Sequence, residues 1–248
     1  MPPTPEEPAV SQVVAELQRR LDELPSGMDI RRTFIATYLR TTEAVGKAVE
    51  DAYFEDPEWV VRWDVVFGRL FLVAHDADLN GGRAPRPWRL AFGAPPKLRP
   101  LQHLLLGINA HINYDLPQAL LSVITDEEFA DPVLIDRRRR DHERIDGVLS
   151  SRVAAEDEQI GGARTLLDRV LTPANRAASK RFLREARRKV WQNTFALQQA
   201  RVAGPEAYQR RLAELELLAA AKIAELVAPG QVLLRLAVSG FGVVLPPP

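Results

Sequence analysis

The stretch Pro100–Leu121, PLQHLLLGINAHINYDLPQALL, constrains this chain more than any other segment. It is apolar enough to form a helix inside the fold, yet it carries His103, Asn109, His111, Asn113 and Asp115, and buried polar side chains must find partners. At about 100° per residue, His111 and Asp115 share a stripe with Leu104, Gly107, Ile108 and Gln118. Asn109 and Asn113 fall on the opposite stripe with Gln102 and Leu106. A surface helix keeps a single polar face, so this pattern predicts a central helix that touches neighbours on both sides. Pro100 suits the first helical position, whereas Pro117 cannot donate to the carbonyl of Asn113, and the helix is expected to kink or end there.

A chain of 248 residues can bury a substantial core, and 46% apolar with 27% charged residues marks a folded globular protein rather than a disordered one. Zero formal net charge argues against nucleic acid or an anionic membrane as partner. The absence of cysteine excludes disulfides, thiol nucleophiles and Cys-ligated metals. No apolar run approaches the roughly 18 residues that span a bilayer, so no stable membrane insertion is expected. MPPTPEEPAV lacks the basic and apolar regions of a signal peptide, which makes the cytoplasm the expected location.

Along the chain, residues 1–9 read as a disordered, proline-rich acidic N-terminus, and residues 10–248 as one all-α domain. Val10, Val13, Leu17 and Leu21 recur at helical spacing until Pro25-Ser26-Gly27. A second helix is predicted from Asp29 as its cap, and a third from Asp56-Pro57 to His75 or beyond, with Val60, Asp64, Phe67, Phe71 and His75 on the inner stripe. Residues 79–100 form a long Gly/Pro loop around a short turn at Trp88–Phe92, leading into the central helix. Helices are predicted over Leu134–Val153, residues 163–172, Ala177–Arg201 and Pro205–Leu226. The apolar tail QVLLRLAVSGFGVVLPPP is open between a strand, a short helix and a lid. The sum is about seven to nine helices around a buried central one.

GINAHINYDLP, led by LQHLLL, resembles the signature of an uncharacterised, mostly actinobacterial family, domain of unknown function family 5995. The likeness runs on through DPEWVVRWDVVF, PRPWRLAF and RRDHERID to REARRKVW, and the family implies no reaction. The central His-x-x-x-Asp also resembles, over about a dozen residues, a helix of the zinc-dependent phospholipase C and S1/P1 nuclease group. That group builds a three-zinc centre from many histidines, which the four here do not supply.

His75, His103, His111 and His142 are the histidines, and His111–Asp115 is a helical pair that can offer an imidazole nitrogen and a carboxylate oxygen to one divalent metal ion. His142 is the candidate third ligand. Without metal, His111 oriented by Asp115 is a general base, Asn109 or Asn113 could steady an oxyanion, and Asp64 is a desolvated carboxylate that needs a cation, a metal or a proton. Arg187 or Arg188 is the plain salt-bridge partner for Asp64. The basic runs Arg137–Arg140 and Lys180–Lys189 read as solvated faces or, alternatively, phosphate grips. Rossmann, P-loop, G-x-S-x-G and H-E-x-x-H motifs are absent. The expected function is that of an enzyme of hydrolase or lyase/cyclase type on a small, mostly apolar substrate, with catalytic His111, Asp115, Asn109, Asn113 and Asp64. The alternative is a non-catalytic ligand-binding or scaffold protein in which the same groups fix the helix. The sequence is compatible with a homo-oligomer.

Overall fold

Helix boundaries follow the local signals. α1 (Val10–Glu23) stops because Leu24, before Pro25, is extended, as residues preceding proline prefer. Its free end carbonyls are taken by Arg32, which donates to the oxygens of Leu21 and Leu24 at 2.9 and 3.0 Å. α2 spans Asp29–Glu50, with Asp29 inside its first turn rather than at the cap, a position that Met28 holds. α3 (Pro57–Leu79) starts as expected, Asp56 accepting the Trp59 amide at 3.1 Å with proline at the first helical position.

The 79–100 segment is more ordered than a loop, since Arg86–Phe92 forms the helix α4. The central element is α5 (Pro100–Ala110), a π-helical turn (His111–Asp115) and α6 (Leu116–Val123) in unbroken succession. Pro117 neither ends nor interrupts it. The wide turn lets the Leu116 amide reach back to the His111 carbonyl and absorbs the donor that proline lacks. α7 (Asp126–Ala130), capped by Thr125 and Glu128, leads into α8 (Pro132–Gln159). α9 (Pro173–Ala203) and α10 (Pro205–Val227) pair across Gly204, whose φ of 124° a side chain would resist.

The computed structural model describes residues 9–159, 173–230, 236 and 239–247, and among them no strand occurs. The disorder expected for most of residues 1–9, and the helix expected over 163–172, lie outside the described residues.

The central element feeds three apolar clusters at once. Leu104, Leu106 and Ala110 pack with α1–α4 and α10; Leu116, Ala119 and Leu120 pack with α2, α3, α8 and α9; Tyr114 and Leu121 pack with α9 and α10. Burial on every side is what the double-striped pattern implied. No described helix is long and apolar enough to cross a membrane.

Candidate functional site

The two polar stripes of the central element meet different surroundings. On one, Asp115 Oδ2 accepts the Trp88 indole N–H and the His111 Nδ1–H, each at 2.8 Å. A carboxylate only accepts, so Nδ1 carries the proton and Nε2 keeps a lone pair. That Nε2 is buried and has no hydrogen-bond partner. The imidazole is sandwiched by aromatic rings: Phe67 stacks on it at 3.6 Å, and Tyr38 meets it edge-on at 4.7 Å. His111 is 4% and Asp115 2% exposed. Burial lowers the His111 pKa against the pull of Asp115, and burial raises that of Asp115 against the hydrogen bonds from His111 and Trp88.

Asp64, one turn before Phe67 on α3, is buried with Oδ2 unpartnered. Burial alone raises its pKa to about 7. The expected arginine partner is elsewhere: Arg187 pairs with Asp146 and donates to His142 Nε2 at 3.2 Å. Tyr38 joins the group, its hydroxyl held neutral by burial and by the charges of Asp64 and Asp115.

Asn109 and Asn113 turn the other way. Both donate to the Phe241 carbonyl, at 2.9 and 3.1 Å, and Asn113 Oδ1 accepts the Val243 amide. They do not face His111, so the oxyanion role expected of them does not fit their positions.

The metal set His111–Asp115–His142 also fails on geometry. His142 lies in a separate aromatic box, edge-on to Trp63 and Trp191, with Trp63 against the Phe67 that stacks on His111. Its Nε2 lone pair is taken by Arg187, and burial and that cation hold its pKa well below the usual histidine value. No group of three or more His, Asp or Glu among the described residues could hold a metal ion. In the 137–140 run Arg139 and Arg140 are exposed, as a solvated face requires, with Arg140 gripping Glu55, whereas Arg138 is buried between Asp56 and Glu128 over the Trp59 ring.

Beyond the dyad lies a small cleft lined by Arg31, His75, His103, Phe92 and Gly107, with room for about one water molecule at about 20 Å³. Phe34, Phe71 and Trp88 line it as well and also pack on His111, so they form the partition between cleft and dyad. Trp88 and Tyr38 are site residues that sequence reasoning passed over. The signal for Trp88 was a lone tryptophan among glycines and prolines, a large apolar ring whose N–H usually takes an acceptor when it is buried.

Fold and site define a class: an all-helical domain around a helix bearing an Asp–His pair on one side and an asparagine pair on the other. The chain belongs to the Family of unknown function (DUF5995), whose model matches residues 10–229. No curated protein and no solved structure matches it.

Proposed function

We propose that the protein is an enzyme in which the Asp115–His111 pair acts as general base on a small, mostly apolar substrate, in a reaction of hydrolase or lyase/cyclase type. The observation that carries this reading is the unpartnered, buried Nε2 of an imidazole whose other nitrogen is fixed by a carboxylate. Asp64 Oδ2, one turn before the Phe67 that stacks on the imidazole, is a second buried and unpartnered acceptor in the same group. In the reaction, His111 Nε2 takes a proton from water or from a carbon acid, Asp115 and Trp88 hold the ring, and Asp64, close to half-protonated at neutral pH, is the candidate proton donor. Phe34, Phe67, Phe71 and Trp88 favour an apolar substrate that enters by way of the cleft as the partition moves. The metal-free version is preferred because His142 is engaged by Arg187.

The second reading, a non-catalytic ligand-binding or scaffold domain, is favoured by the closure of the site and by the asparagine stripe, whose donors the tail takes up. Turnover of short-chain p-nitrophenyl esters and of small carbon acids separates the two. Loss of at least about a hundredfold in kcat for His111→Ala and Asp115→Asn, with melting temperatures within a few degrees of wild type, supports the enzyme. Wild-type inactivity on every probe, together with large drops in melting temperature for both variants, would favour the scaffold.

A further inference from the structure

Residues 241–246 lie against the asparagine stripe in a manner that reads main chain. Asn113 donates to the Phe241 carbonyl and accepts the Val243 amide; Asn193 on α9 donates to the Val243 carbonyl at 3.0 Å and accepts the Leu245 amide at 2.9 Å. The groups of residues 241, 243 and 245 thus point one way, the period of an extended strand. On the other edge, Lys189 donates to the Gly242 carbonyl and Arg211 to that of Pro246. Two carboxamides stand in for the neighbouring strand that an all-helical body cannot offer.

Side chains add a filter. Leu245 is buried and Val243 packs beside it, among Leu197, Leu215 and Tyr114, while Val244 faces solvent. At Gly242 a Cβ would come within 2.7 Å of Lys189 Cδ and 3.3 Å of Lys189 Cβ, so a larger residue would have to displace the lysine side chain that holds the Gly242 carbonyl. The groove belongs to the body: Asn109, Asn113, Asn193 and Arg211 all lie within the family match at residues 10–229, whereas the tail lies beyond it.

We propose that this groove is a peptide-binding site for an extended segment of the pattern apolar-Gly-apolar-any-apolar-Pro, that Phe241–Pro246 is its resident ligand, and that a peptide strand of the same pattern on a partner exchanges with it. Binding in cis gives the resident tail a high effective concentration, so trans binding emerges once the tail's grip is weakened.

The test uses the full-length chain carrying Val243→Pro and Leu245→Pro, which removes both amides the asparagines accept, and a fluorescein-labelled GFGVVLPPP peptide followed by anisotropy. The double variant is expected to bind the peptide at least about tenfold more tightly than the wild-type chain. Adding Asn113→Ala, N-methylating the peptide at the Val243 position, or placing valine at its Gly242 position should each cost at least about tenfold. A double variant that is folded by circular dichroism yet binds no peptide, or that binds the N-methylated peptide equally well, would overturn the proposal. If the double variant does not fold, hydrogen exchange of the Val243 and Leu245 amides in the wild-type chain decides instead. Acceleration by excess unlabelled peptide supports exchange, and unchanged protection rejects it.

Discussion

Asp64 is buried on α3 with one oxygen unpartnered, and its pKa is raised from the ordinary 3.8 to about 7. The folded chain therefore holds a proton that the unfolded chain gives up between those values. Stability from this group is fully present below pH 3.8 and is lost as pH rises through about 7. Asp64→Asn should abolish that loss: the stability difference between variant and wild type grows across this window and levels off above it, at no more than about 4 kcal/mol. Urea denaturation at a series of pH values checks the slope. His111 has the opposite sign. Burial lowers its pKa from 6.5, so its contribution is present at neutral pH and lost on acidification, and activity that depends on its free lone pair should fall on the acid side too. His111, Asp115 and the inward Asp64 were legible in the sequence because helical spacing fixes which side chains share a face. Trp88 was not, because its bond to Asp115 depends on how α4 folds back, and spacing along the chain says nothing of that.

For elements, the central helix was legible as to existence, start and double-sided burial, while its continuity past Pro117 was not. Proline removes one donor in any helix, and whether the chain kinks or widens into a π turn depends on packing at both ends, here into three separate clusters. The close approach of α5 to α2 is sharper still. A Cβ at Gly107 would lie 2.4 Å from Phe34 Cδ2 and 2.7 Å from Cε2. Gly107→Ala should therefore cost about 1–3 kcal/mol by overpacking. Phe34→Leu in the same chain should return part of that, giving a coupling that a double-mutant cycle in urea detects. Residues 241–246 of the tail remained undecided in sequence because their extended form depends on carboxamides from two distant helices rather than on a neighbouring strand.

In the whole molecule, the N-terminal and C-terminal halves are tied by polar groups as well as by the core. Asp141 on α8 is fully buried and accepts the amides of Glu55 and Asp56, each at 2.7 Å, across the turn between α2 and α3. Asp141→Ala would orphan both donors and should cost about 2–4 kcal/mol, seen as a lower denaturation midpoint with a single transition preserved. The sequence placed this residue in a charged run and left its partners open, since they lie 85 and 86 positions away. Distance in sequence hides such ties, whereas the all-helical class itself followed from periodicity alone.

Trp88 also makes the molecule its own optical reporter. All four tryptophans are at least 95% shielded from solvent, so emission from the intact fold should lie to the blue. Trp88 alone bonds to the carboxylate beside His111 and also walls the cleft. An occupant that displaced its ring would shift the colour of that light while the other indoles stayed dark to the event, and the arrival of a ligand could be watched without a label.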